Sequence, residues 1–258
     1  MRTKTWFALI LAGMLLFTVS CGSGSSENST ATQQGYPTKY AQQRERIFGT
    51  DLSDANKTSL SISKGKLVET ISGKAAFAYY GEMKNSRPDG FGIIVDHHNI
   101  VFGGEFKKGE PCGYGIVFYA DDYNKHPKVY EGDDCSFVSI GGLQRFQVSG
   151  NGFVYENFGF DIGEPHILYQ GQLEKNERDG SGCEYYNDGS IIGFGPLQYD
   201  GEFKNDEFSG DGVLYSEDGT VVYEGEFKKD TFHGDGTLYN EDGSVKYEGK
   251  FKNGDIKG

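Results

Sequence analysis

The feature that most constrains the fold is a short phrase that recurs along the second half of the chain. Residues 199–215 read YDGEFKNDEFSGDGVLY, residues 223–239 read YEGEFKKDTFHGDGTLY, and the phrase begins again at residue 247. A chain with such a period is predicted to fold as an array of similar units. Glycines that align with the YxG element of this phrase are Gly81, Gly104, Gly132, Gly171, Gly201, Gly225 and Gly249.

A second glycine element, GxG, begins nine residues after most of the YxG glycines. Its members are Gly90 and Gly92, Gly113 and Gly115, Gly180 and Gly182, Gly210 and Gly212, and Gly234 and Gly236. The YxG glycines are spaced by 23, 28, 39, 30, 24 and 24 residues, so the middle of the array, about residues 120–170, carries an insertion. Such an insertion either forms a binding site or is tolerated decoration in the loops.

Each unit is predicted to be a β-hairpin, because its side chains alternate with a period of two. Aromatic side chains share one face with the YxG glycine, as in Tyr199 and Phe203 or Tyr223 and Phe227, and charged side chains share the other. We expect that the Phe of one strand lies across the glycines of its partner strand. Asp-Gly pairs at 218–219 and 242–243 separate the units and predict tight turns.

The pattern YEGEFKNG…GxGxLY resembles the MORN repeat family, and about seven approximate copies cover residues 79–258. The resemblance implies an all-β fold, in which stacked β-hairpins form an elongated, single-layer antiparallel sheet. It also implies a role in scaffolding or protein binding, and members of the family have been linked to phospholipid.

The N-terminal region is predicted to direct export and anchoring rather than to join the repeats. Arg2 and Lys4 precede the uncharged run WFALILAGMLLFTV, which fits the apolar core of a signal peptide over residues 1–20. The following TVSC resembles the lipobox of bacterial lipoproteins, which implies that Cys21 is lipidated and becomes the mature N-terminus. Residues 21–50 are expected to be a flexible tether with a short helix, and residues 51–78 a transition segment.

Charge and motif content argue against several functions. The chain has a formal net charge of −13, and removal of the first twenty residues leaves 23 basic against 38 acidic residues, or −15. Such a surface repels nucleic acid and anionic lipid headgroups. The glutamates Glu82, Glu105, Glu202 and Glu226 recur in every clean unit, which favours a structural role over catalysis. Neither a cofactor motif nor a metal-ligand spacing is present, so we expect no enzyme activity, cofactor or metal.

The cysteines left beyond Cys21 are Cys112, Cys135 and Cys183, an odd number that cannot pair fully within one chain. Cys183 occupies a slot held by Ile, Val or Thr in other units and is predicted to be a packing residue. Cys112 and Cys135 form either a disulfide or two free thiols.

These observations predict a non-enzymatic scaffold at the cell envelope, anchored to the extracytoplasmic face of a membrane by the lipid alone. The expected partner is another protein, and the oligomeric state stays open. The alternative is a surface module that binds cell-wall glycan or phospholipid.

Overall fold

The computed structural model describes residues 42–43, 45–47, 49–96, 99–118, 128–140, 143–156, 166–187 and 193–257. Residues 42–43 and 45–47 are helical, and a 3-10 helix spans Asp54–Asn56. The β-strands in these ranges are β1 (Thr58–Ser63), β2 (Lys66–Glu69), β3 (Phe77–Lys84), β4 (Arg87–Asp96), β5 (Asn99–Lys107), β6 (Glu110–Phe118), β7 (Lys128–Ile140), β8 (Leu143–Glu156), β9 (His166–Glu174), β10 (Glu177–Tyr185), β11 (Gly193–Phe194), β12 (Leu197–Lys204), β13 (Glu207–Tyr215), β14 (Val221–Lys228), β15 (Thr231–Tyr239), β16 (Val245–Lys252) and β17 (Asp255–Lys257).

All of these strands belong to one open sheet, which confirms the predicted all-β fold of consecutive hairpins. From β3 onward, each strand pairs antiparallel with the next one along the chain, apart from the two-residue strand β11. Strand β11 instead pairs in parallel with the start of β9. The hairpin of β1 and β2, in the segment predicted to be a transition, joins the sheet through β1 and β3.

Two kinds of turn connect the strands. Within the hairpins, two consecutive residues adopt positive φ, as at Asn205 and Asp206 (51° and 67°) and at Lys229 and Asp230 (52° and 62°). Asn and Asp tolerate this conformation, and it matches the strand twist that a two-residue hairpin requires. Between the hairpins, the Asp-Gly pairs that predict turns lie in the connections β13–β14 and β15–β16, where Gly219 and Gly243 have φ of 86° and 79°.

One face of the sheet, the aromatic face, is lined by the tyrosines and phenylalanines of the repeat. Across β12 to β16, directly paired residues place the row Tyr199, Leu214, Tyr223, Leu238 and Tyr247 on this face. Tyr199 and Tyr223 are fully buried by their neighbours. Phe203 and Phe227 stand edge-on to Tyr199, with ring centroids 5.1 and 5.0 Å away. Aromatic rings packed on one another thus supply the core that a single sheet otherwise lacks.

Over the first units, further elements cover the aromatic face. Leu60 of β1 and Leu67 of β2 are fully buried in its cluster. The outer parts of β7 and β8 extend beyond the repeat as a long hairpin, in which Phe137 pairs with Phe146. Phe146 stacks on Phe102, with ring centroids 4.8 Å apart. This part of the predicted insertion therefore packs on the aromatic face, while residues 119–127 and 157–165 lie outside the described residues.

The opposite face, here called the second face, has two halves that differ in their side chains. The first half lies nearer the N-terminal strands, and the second half spans β12 to β16. A continuous row of directly paired residues crosses it from Ile93 through Gly103, Ile116, Glu131, Phe153, Gln170, Cys183, Asp200, Val213 and Glu224 to Thr237 and Glu248. In the first half Ile93 and Ile116 are fully buried, and Ile47 of the helical segment packs in the same cluster. A Cβ at Gly103 would lie 2.9 Å from Ile47 Cδ1, so glycine lets this segment approach closely.

Candidate interaction surface

The YxG tyrosine, and not the predicted phenylalanine, lies across the glycines. A Cβ added at Gly212 would come within 3.0 Å of the ring of Tyr199, and one at Gly236 would meet Tyr223 in the same way. The Tyr199 hydroxyl donates a hydrogen bond to the carbonyl of Glu202, 3.0 Å away, which holds the ring along its own strand. In the second unit Phe102 holds the same position and lies across Gly115, so the covering ring is the one two residues before the YxG glycine. The expectation that the Phe two residues after this glycine covers the GxG pair was wrong.

The first glycine of each GxG pair meets a different neighbour. A Cβ at Gly210 would lie within 3.0 Å of the Glu202 carboxylate, and Gly210 has φ of 56°, a conformation that favours glycine. In the next unit, the Glu226 carboxylate accepts a hydrogen bond from the backbone N–H of Asp235 (3.1 Å). The recurring glutamates therefore bind the backbone of the neighbouring strand, which is the structural role that their periodicity predicts.

One unit departs from this pattern on the aromatic face. Where the two following units have Phe208 with Leu214 and Phe232 with Leu238, it has Arg178 and Glu184, and these two side chains form an ion pair. Arg178 Nε also donates to Asp206 (3.2 Å), and its guanidinium lies 5.0 Å from the ring centroid of Phe203. A cavity of about 250 Å³ borders the pair, but Tyr169 in its wall is only 1% exposed. The ion pair thus takes the place of a Phe and a Leu side chain, and the buried wall of the cavity leaves little accessible surface for a ligand.

The buried polar groups of the first half serve packing. Glu131 is fully buried and accepts hydrogen bonds from the hydroxyls of Tyr114 (2.5 Å) and Tyr155 (3.2 Å). Cys112 and Cys135 are free thiols, and burial raises the pKa of both. Cys183 is buried in the second-face cluster, but it is also disulfide-bonded, so the prediction that it is only a packing residue was wrong. Among the described residues, no group of three or more His, Cys, Asp or Glu is placed to hold a metal ion.

The second half of the second face presents a regular surface, which we name the acid–tyrosine stripe. It consists of Asp200, Val213, Glu224, Thr237 and Glu248, one from each of the strands β12 to β16, flanked by Tyr215 and Tyr239. Sequence reasoning identified the acids as a charged face but missed that the same row is apolar and covered in the first half. The available signal was that Tyr80 and Gly103 occupy the slots of Asp200 and Glu224 in the first units.

The residues of the stripe differ in how far their side chains are exposed to solvent. Glu224 and Glu248 are exposed, while Val213, Thr237 and the two tyrosines are half-buried. Burial raises the pKa of the Asp200 carboxyl. The Tyr239 hydroxyl donates to Glu224 Oε2 over 3.4 Å. No element among the described residues packs over β13 to β16 on this face, so the stripe is a candidate surface for binding.

An open sheet of stacked hairpins, with the same arrangement of side chains in each unit, is typical of the β-hairpin repeat proteins. The MORN repeat model matches five segments of the chain, at residues 79–96, 104–122, 169–191, 199–221 and 223–245. The chain therefore contains MORN repeats, as the sequence resemblance implies, and such repeats serve as interaction or lipid-binding modules. Comparison with curated protein sequences gives no match.

Cys21 and residues 1–20, which are predicted to anchor and to export the protein, lie outside the described residues. Among the helical segments that are described, none has the length and apolar character needed to cross a bilayer.

Proposed function

We propose that the chain is a non-enzymatic repeat scaffold, anchored at the cell envelope through a lipidated Cys21, whose C-terminal hairpins bind another protein. The observation that carries the proposal is the division of the sheet. Added elements cover both faces over the first units, whereas β13 to β16 carry no such cover in the described structure. A repeat array whose regular end stays free offers an extended surface, which suits a macromolecule better than a small substrate.

A protein partner is favoured over phospholipid because of charge. The chain has 38 acidic and 25 basic residues, and the exposed acids Glu224 and Glu248 lie on the free face. Anionic headgroups would be repelled by this surface, although screening limits the repulsion to about 8 Å at physiological salt.

Site-specific photocrosslinking tests the binding function. A photoreactive amino acid replaces Val213 on the free second face, and, in a matched control, Glu174 at an exposed hairpin end. The proposal predicts a protease-sensitive adduct of increased mass at position 213 only. An adduct with phospholipid alone at position 213 would instead support lipid recognition.

Fatty-acid labelling tests the anchor. The TVSC motif at residues 18–21 motivates the Cys21→Ala variant, which should lose labelled palmitate and leave the membrane fraction. Cys112→Ala, at a free thiol within the sheet, is the matched control and should keep both. Continued labelling of the Cys21→Ala protein would exclude Cys21 as the lipidated residue.

A further inference from the structure

The acid–tyrosine stripe repeats at the period of the hairpins. Asp200, Glu224 and Glu248 stand on every second strand and are linked through the direct pairs with Val213 and Thr237. Directly paired residues of an antiparallel sheet point to the same face. Adjacent strands are about 4.8 Å apart, so successive carboxylates of the stripe are spaced by about 10 Å along a line across the strands.

Tyrosine side chains accompany the acids. Tyr215 and Tyr239 end the strands that alternate with those of the acids, and they pair with Val221 and Val245. Burial raises the pKa of Tyr215, and so do the charges of Asp200 and Glu224 beside it. A surface that offers both carboxylates and phenol rings favours a Lys or Arg side chain, through ion pairing with the first and cation–π attraction to the second.

Most lysines of these strands lie away from the stripe. Lys204, Lys228 and Lys252 lie at the hairpin-turn ends of β12, β14 and β16, and Lys250, two residues from Glu248, is paired with Asp235 (3.0 Å). At the stripe end, Asp218 and Asp242 occupy the connections, and hydrogen bonds from Ser216 and Ser244 lower the pKa of each. Among the described residues of these strands and connections, Lys246 is the one cation at that end.

We propose that the acid–tyrosine stripe binds an extended basic polypeptide segment that runs across the strands and carries Lys or Arg at every third residue. In the polyproline II conformation, an extended helix with three residues per turn, every third side chain returns to the same side after about 9.3 Å, which matches the spacing of the carboxylates. One basic side chain then meets each carboxylate of the stripe, and the residues between lie over Val213 and Thr237. The inference rests on the proposed protein-binding function and names the chemistry of the partner.

Binding of two synthetic peptides to the full chain in detergent tests the spacing. In the first peptide Lys occupies every third position, with Pro and Ser between, and in the second the same residues are arranged with all lysines in one block. Fluorescence anisotropy at about 0.15 M salt, where charges are screened beyond about 8 Å, gives the two Kd values. We expect the spaced peptide to bind about tenfold more tightly, and equal Kd values would overturn the proposal.

Charge-matched variants test the location. The triple variant Asp200→Asn, Glu224→Gln and Glu248→Gln removes the stripe carboxylates. Because the peptide then loses three ion pairs at the protein surface, its Kd should increase about tenfold. The control variant Glu69→Gln, Glu174→Gln and Glu177→Gln changes the net charge equally at exposed positions elsewhere. An equal loss of affinity in both variants would show that only net charge attracts the peptide.

The outcomes separate this inference from the proposed function. A protein adduct at position 213 together with no preference for the spaced peptide would leave the scaffold function standing and refute the basic partner. Circular dichroism of both triple variants confirms that a loss of binding is not a loss of folding. Preference for the spaced peptide that persists in the stripe variant would place the basic segment on another surface and so contradict the proposal.

Discussion

At the scale of single residues, the repeat depends on two side chains that exclude any Cβ from the GxG glycines. Tyr199 closes over Gly212 on the aromatic face, and Glu202 reaches Gly210 with its carboxylate. The sequence predicted that these glycines make room for a ring, because the period of two places aromatics beside them. It could not predict which ring, since Tyr199 and Phe203 share one face and only the packing of the paired strand decides which of them lies across Gly212.

Substitution of the second glycine should therefore cost far more than substitution of its neighbour. We expect Gly212→Val to lower the free energy of unfolding by about 3 kcal/mol, because the branched side chain would displace the Tyr199 ring. Asp211→Val, at the exposed position beside it, should change it by less than about 0.5 kcal/mol. Thermal or urea unfolding measures both, and equal losses would mean that the two faces of β13 are assigned the wrong way round.

The buried tyrosines should make the fold sensitive to alkali. Burial, helped by the nearby Glu226, raises the pKa of Tyr223 to about 12, against about 10 in the unfolded chain. The unfolded state therefore releases this proton first, and stability is complete below about pH 10 and falls between about pH 10 and 12.

Removal of the Tyr223 hydroxyl should change this pH profile in a defined way. Tyr223→Phe loses the hydrogen bonds to the carbonyls of Glu226 and His233, which should cost about 1 kcal/mol at neutral pH. Above pH 10 the variant should lose stability less steeply than the parent. Urea unfolding across this pH range provides the measurement, and an unchanged slope would show that Tyr223 does not contribute to it.

At the scale of secondary-structure elements, the hairpins follow from local signals and the covering elements do not. Alternating side chains and Asp-Gly pairs specify strands and turns within about 20 residues, so the repeat could be predicted unit by unit. The position of the outer β7–β8 hairpin depends on contacts such as Phe146 with Phe102, more than 40 residues apart, which no local pattern encodes. The insertion was therefore visible in the sequence while its packing was not.

The unit that carries Arg178 and Glu184 tests whether the side chains of one repeat can replace those of another. Arg178→Phe with Glu184→Leu restores the residue types found at Phe208 and Leu214, and replaces a largely buried ion pair by apolar contacts. We expect the double variant to equal or exceed the parent in stability, and to exceed Arg178→Phe alone by about 2 kcal/mol, because the single change takes the guanidinium from Glu184. The free energies of unfolding of the parent, the single variant and the double variant provide the test. A double variant that is less stable than the single variant would contradict the prediction.

At the scale of the whole molecule, one sheet combines a covered half and a half, here called free, over which no other described element packs. Composition and charge predicted an acidic repeat protein, but the distinction between the halves depends on what the helical segment and the β1–β2 hairpin contact. Ile47 and Leu67 reach residues far along the chain, in the clusters on opposite faces. The free half keeps its acids in equivalent slots, which is the basis for expecting a basic partner there.

The most direct test of this account combines the crosslinker at position 213 with the two triple variants in cells. If the acid–tyrosine stripe is the binding surface, the protein adduct should form in the parent background and in the Glu69→Gln, Glu174→Gln, Glu177→Gln background. It should be lost, or reduced about tenfold, in the Asp200→Asn, Glu224→Gln, Glu248→Gln background. An adduct of equal yield in all three backgrounds would contradict the assignment of binding to the stripe.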